Sequence, residues 1–267
     1  MFRKLLLALV GLTPASVVAH EFWLQPDAFV LEPGASVSII VRIGEDLMGR
    51  PFPFDPRAYR SALWSGPERK VELSSLPSRA EFNDLPAYGT GLHSLTVSSF
   101  EQSLTYRDRT ELQRFLKSVG QEELLMSVAG QSLPRTQITE SYARSSKVLV
   151  HFGQVEGRDT RVSTGREWVA LEDGFILFNN DGAAGGHEVQ IYCKTQSDNH
   201  AVIRQDTRTR SDGHIFPDLP PDAMCLLNAV FVELTGSGSD LTSDWVSLLL
   251  QTPEPRAAVK KSEGDRL

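Results

Sequence analysis

His20 has the most chemistry to offer, because of what stands before it. Phe2 to Ala19 reads as an export signal: Arg3 and Lys4 make a basic start, Leu5 to Leu12 an apolar stretch, and Val17-Val18-Ala19 supplies small residues at a processing site. Cleavage there leaves His20 with a free α-amine beside its imidazole. Those two nitrogens can chelate one cation in a way an internal histidine cannot. A second imidazole makes a three-nitrogen site suited to copper(II) or nickel(II), and His93, in the same N-terminal half and beside a turn, is the expected partner. Such donors lose their lone pairs on protonation, so affinity at this site falls in acid.

The remaining histidines are dispersed. His187 and His200 flank strand-like runs and meet across a hairpin only if those runs pair, with Glu188 nearby, while His151 and His214 belong to no spacing pattern. Glu21, Glu45, Asp46 and Asp55 supplement a cation site or simply face water. Trp23 and Trp245 sit in strand settings, where a large apolar ring is expected to pack. Enzyme motifs are missing: there is no Gly-x-Ser-x-Gly elbow, no His-Glu-x-x-His and no phosphate loop. A binding or accessory role is expected ahead of catalysis.

Composition narrows the partners. The chain of 267 residues carries 34 acidic and 27 basic side chains, a net charge of -7. Loss of Arg3 and Lys4 with the signal takes this two units lower. An acidic exported protein is a poor ligand for nucleic acid or anionic lipid. Beyond the signal no run reaches the ~20 apolar residues that cross a bilayer, so a permanent anchor is not expected. Cys193 and Cys225, the only cysteines, form either one disulfide or two buried thiols.

The elements expected to position these residues are mostly strands. Val37, Ile39, Val41 and Ile43 alternate with Ser38, Ile40 and Arg42, between turns at Pro33-Gly34 and Gly44-Glu45-Asp46. Glu68 to Leu73 and Leu92 to Val97 read as further strands, and the proline-rich stretch Arg50 to Pro56 as an exposed loop. The period then changes. Leu112, Phe115, Leu116 and Val119 form a helical stripe, with Asp108 and Glu111 as a capping box and Gly120 as a stop. Short helices are also expected over Glu122 to Val128 and Ile138 to Ser145. Strands return at Lys147 to Phe152, Trp168 to Leu171, Phe175 to Phe178, Glu188 to Cys193, Ala201 to Arg204, Cys225 to Leu234 and Trp245 to Gln251. Asn179 to Gly186 reads as a flexible connection. The expected organisation is a signal (1–19), an N-terminal β-sandwich (20–106), a helical connector (107–146), a C-terminal β-sandwich (147–251) and a disordered tail (252–267).

The opening His20-Glu21-Phe22-Trp23-Leu24-Gln25-Pro26, followed by Pro33-Gly34 and the alternating strand, resembles a periplasmic bacterial family of unknown function related to nickel-uptake accessory components. The resemblance continues through Phe115-Leu116 and Gly120, through Tyr142 to Val150, through Thr209-Arg210-Ser211-Asp212-Gly213-His214 and through Asp244 to Leu248. It implies an N-terminal sandwich, a helical connector and a second domain similar to a transthyretin or carboxypeptidase-regulatory module, with Ser211-Asp212-Gly213 as a hairpin. Phe231 stands where the family carries a histidine. The expected function is that of a periplasmic or secreted accessory protein coordinating a transition-metal cation for an envelope or membrane transport partner. The alternatives are a metal-free structural or protein-binding β module, which docks by strand addition, and a copper-dependent oxidase, which needs an open coordination position.

Overall fold

A computed structural model describes residues 20–52, 55–74, 82–163, 165–195, 201–235 and 238–254. The expected signal and most of the expected tail lie outside these residues. The described chain is mainly β. In the first half the strands are β1 (Glu21–Pro26), β2 (Val30–Leu31), β3 (Ser36–Glu45), β4 (Met48–Phe52), β5 (Tyr59–Ser65), β6 (Lys70–Glu72), β7 (Phe82–Pro86), β8 (Gly91–Ser99) and β9 (Gln102–Asp108). Helices α1 (Arg109–Ser118) and α2 (Val128–Ser132) follow. The second half holds β10 (Thr136–Phe152), β11 (Glu167–Leu171), β12 (Gly174–Asn179), β13 (Gly182–Ala183), β14 (Glu188–Thr195), β15 (Val202–Arg208), β16 (His214–Ile215), β17 (Ala223–Leu234) and β18 (Leu241–Gln251).

Strands from both halves join in one mixed sheet, in the order β15-β14-β17-β18-β10-β8-β5-β6. The long strand β10 is its hinge point: it runs parallel to β18 and antiparallel to β8 and β9. A smaller sheet, β1-β3-β4 with β7 on β3, comes from the N-terminal half, and another, β11-β12-β13 with β16 on β12, from the C-terminal half.

Alternation along the central strands explains how one sheet serves two cores. Side chains two residues apart point to the same face. Val148, Val150 and Phe152 of β10, Tyr192 of β14, Leu226 of β17 and Leu249 of β18 join Phe22, Leu24, Ile39 and Val41 in one apolar cluster. Their neighbours Leu149, Ile191, Cys193, Cys225, Leu227 and Leu248 join Trp168, Phe175 and Leu177 in a second. Thus the two small sheets cover opposite faces of the central one. A third cluster joins Leu112, Phe115 and Leu116 of α1 to Tyr106, Ile138, Val230 and Trp245. Each large apolar side chain buried there contributes about 1.5–3 kcal/mol.

The α1 signals act as their chemistry requires. Asp108 Oδ1 accepts the N–H groups of Thr110 and Glu111, both at 2.9 Å, and Glu111 Oε2 accepts that of Arg107 at 2.7 Å. Gly120 follows the helix at φ 69°, a left-handed conformation that glycine adopts without steric cost.

Several local expectations are corrected. Ile138 to Ser145 is not a helix but the first half of β10, because β9 and β18 supply ladder partners on both sides of it. The Glu122 region is a 3-10 turn over Glu122–Met126, followed by α2. Arg50 to Phe52 is strand rather than loop: β4 ends its sheet, and at an edge Pro51 need donate no ladder hydrogen bond. Within Asn179 to Gly186, β13 pairs back on β12. Thr252, assigned to the tail, is buried and accepts the Ala223 N–H at 2.8 Å.

Candidate functional site

The start of β1 gathers His20, Glu21, Glu45 and Asp46. Antiparallel pairing sets Glu21 opposite Gly44 and Trp23 opposite Arg42, so the turn between β3 and β4 folds beside the amino-terminal end of β1. That turn has two central residues, Asp46 at φ 51° and Leu47 at φ 56°. Both are left-handed, the geometry that a two-residue hairpin needs and that asparagine and glycine usually supply. Leu47 tolerates it by packing into the first core, and the conformation costs of order 1 kcal/mol per residue.

His20 Nδ1 lies 3.5 Å from Glu45 Oε1, with both side chains about half exposed. It takes part in no hydrogen bond. Glu21 is only 6% exposed, and its Oε2 likewise has no partner. Burial lifts the Glu21 pKa to about 7; the nearby Asp46 and Glu45 charges add to the rise, and a hydrogen bond with Tyr192 opposes it. Burial and the Glu21 charge in turn push the Tyr192 phenol upward. The Arg204 guanidinium lies over the Tyr192 ring, 5.6 Å from its centroid.

Beside this corner, an open cleft of about 420 Å³ runs between β1, β3 and the ends of β14 and β17. Gln25, Ile40, Arg42, Lys194 and Met224 line it. Trp23 Nε1 donates to Gln25 Oε1 at 3.3 Å, and Arg42 Nη1 donates to the Gly49 carbonyl at 2.9 Å.

His93 is elsewhere and differently employed. It is 1% exposed, its Nε2 accepts the Tyr88 N–H at 2.8 Å, and its Nδ1 lies 3.1 Å from the Gly91 carbonyl, to which it donates. Trp64 and Phe152 pack on the ring at centroid distances of 5.4 and 4.7 Å. Burial lowers its pKa, which favours the neutral ring. With both nitrogens committed, His93 has no lone pair for a metal, and the expected three-nitrogen pairing with His20 has no counterpart in this geometry. Among the described residues no group of three or more His, Cys, Asp or Glu side chains is arranged to hold a metal ion.

The other candidates are also separated. His187 stacks on Phe231 at 3.9 Å and donates from Nε2 to the Val230 carbonyl at 3.1 Å. Arg166 covers the Phe231 ring at 4.3 Å in a cation-aromatic stack. His200 lies outside the described residues. His214 pairs with Asp212, and Asp55 with Arg57. His151 pairs through its backbone with Leu92 and Val30. Trp23 and Trp245 are core side chains. Cys193 and Cys225 are joined in a disulfide directly across β14 and β17.

Sequence reasoning missed a buried charge cluster of Lys147, Asp159 and Glu167. One signal was present: a lysine that opens the apolar run Val148-Leu149-Val150 shares its strand face with Leu149. No protein-family model matches the chain, and no curated protein matches it.

Proposed function

We propose that this chain is an exported, metal-free binding module that docks a protein partner by strand addition. The observation that carries this reading is the free edge of the central sheet. β15 is seven residues long, contains no proline and, among the described residues, pairs only with β14. An unpaired edge offers a row of N–H and C=O groups to an incoming strand. Ile203, exposed on β15, supplies an apolar contact, while Arg204, Asp206 and Arg208 favour a partner of matched charge over indiscriminate aggregation.

The disulfide supports an oxidising compartment, periplasmic or extracellular, for the mature chain. No helix among the described residues is long and apolar enough to cross a membrane, which suits an envelope partner that carries its own anchor. We read the halves 20–106 and 147–251 as two sandwich-like units that share the central sheet, with the helical segment between them.

A photoreactive residue at Ile203 is expected to capture one discrete partner in cells, and one at the exposed control position Glu172 is not. Absence of the adduct, or the same adduct from both positions, would sink strand addition at β15. A second reading, cation binding at a processed N-terminus, draws on His20 Nδ1, which makes no hydrogen bond among the described residues and faces the Glu45 carboxylate. Copper(II) or nickel(II) titrated into protein beginning at His20 is expected to show no tight one-to-one site. Tight binding that an added N-terminal alanine abolishes would put the metal reading first.

A further inference from the structure

Lys147, Asp159 and Glu167 have side chains only 1%, 3% and 2% exposed, so an amine and two carboxyl groups meet almost without water. Lys147 comes from the middle of β10, Asp159 from the segment linking β10 to β11, and Glu167 from the first position of β11. The lysine Nζ lies 3.1 Å from Asp159 Oδ1 and 3.3 Å from Oδ2. Near-equal distances to both oxygens set the nitrogen against the carboxyl group as a whole rather than at the end of one C–O bond. Glu167 Oε1 touches the same nitrogen.

Each partner is fixed by backbone donors. Asp159 Oδ1 accepts the Thr160 N–H at 2.8 Å and Oδ2 the Ala170 N–H at 2.9 Å. Donors aimed at both oxygens withdraw charge from the carboxyl carbon and can hold negative charge that develops on oxygen during attack. Glu167 Oε2 accepts the Val162 and Ser163 N–H groups, at 3.1 and 2.7 Å, which fixes its other oxygen towards the lysine.

We propose that Lys147 and Asp159 condense to an intramolecular amide, with Glu167 carrying the proton. Within the buried pair a proton passes from the ammonium to the aspartate, giving a neutral amine and a neutral acid. The Nζ lone pair attacks Cγ, forming the C–N bond, and the carbonyl electron pair moves onto the oxygen held by backbone N–H. Glu167 takes a proton from the nitrogen and delivers it to the departing hydroxyl. The C–O bond breaks, water leaves, the carbonyl re-forms and Glu167 ends as it began. One amine and one acid become one amide and one water, with no oxidant or cofactor.

Burial supplies the driving force and the geometry supplies the rate. The Lys147 and Asp159 charges are costly to hold out of water and a neutral amide removes both, while the Glu167 carboxylate, which loses its cation, keeps the Val162 and Ser163 N–H donors. Burial also raises the Asp159 pKa, which favours the acid form that the attack needs. Near-contact of the reacting atoms in one fixed arrangement makes the step effectively unimolecular. The bond would tie the segment after β10 to the strand itself, beyond anything that partner docking requires.

The test is the mass of the folded full chain, with the Cys193–Cys225 disulfide intact. It is expected to be lighter by one water than the sequence and disulfide require. Trypsin should fail to cut after Lys147 and release a branched peptide in which residues 145–158 carry 159–161. Glu167→Gln, Asp159→Ala and Lys147→Arg should each retain the water and lose the branch. A full-mass chain with an unlinked Lys147 overturns the proposal, as does water loss confined to Asp159 with a linear Lys147 peptide. Persistence of the branch in Glu167→Gln overturns the role of Glu167. Should the variants fold poorly, the peptide map of the unaltered chain still decides.

Discussion

Replacing Glu21 with glutamine isolates the cost of ionising a carboxyl group at the start of β1. The folded chain holds the Glu21 pKa at about 7 against an ordinary 4.5. A carboxyl group with a raised pKa binds its proton more tightly when folded, so it favours folding while protonated and opposes it once ionised. Stability from this group is therefore lost as pH rises from about 4.5 through about 7. At 1.36 kcal/mol per unit, the loss is about 3 kcal/mol, and burial of the side chain leaves little solvent screening to reduce it. Glutamine keeps an oxygen to accept the Tyr192 hydroxyl and cannot ionise. Urea denaturation of both proteins at several pH values between 4 and 9 (about five units) reads the difference directly. The curves should converge near the acid end, with Glu21→Gln more stable by up to about 3 kcal/mol at the alkaline end. Other buried acids, Glu140 among them, are common to both proteins and cancel in the comparison. Parallel curves across the whole range would refute the reasoning, because Glu21 would then ionise without cost.

Gly49→Ala should lower thermal stability by about 1–3 kcal/mol, since a Cβ there would stand 2.4 Å from the Trp23 ring; an unchanged melting temperature would mean that the ring moves freely. Replacing Cys193 and Cys225 together with alanine should cost about 3–4 kcal/mol by the loop entropy of a 32-residue separation, measured by denaturation with and without reductant. Glu140→Ala should cost about 2–4 kcal/mol, because it strands the buried hydroxyls of Tyr106 and Ser243 that donate to that carboxylate; equilibrium unfolding would show it, and a loss below ~1 kcal/mol would argue that water replaces the acceptor.

Local pattern made much of the fold legible. The alternation over Val37 to Ile43 appears within β3, the apolar run Cys225 to Leu234 within β17, and the stripe with Asp108 and Gly120 as α1 and its ends. These signals are legible because they depend on residues within a turn or two of one another. Ile138 to Ser145 shows where that stops. Its pattern admits a helix, and only the arrival of β9 from one side and β18, a hundred residues later, from the other makes strand the better-bonded state.

The candidate site follows the same division. The sequence singles out His20 and its acidic neighbours, but His93 is offered only by its place beside a turn in the same N-terminal half, and the fold spends both its ring nitrogens on Tyr88 and Gly91. Whether Cys193 meets Cys225 depended on strands β14 and β17 pairing in a register that sets them opposite. In the sequence Asp159 and Glu167 look like ordinary surface charges, and only the place of Lys147 at the head of an apolar run hints otherwise. A charge becomes chemically unusual only when burial removes its water and a distant segment supplies its partner, and both conditions belong to the tertiary structure. The sequence by itself determined the mainly β character, the α1 helix and which residue types were on offer; the fold decided which of them lost solvent and which came within bonding distance.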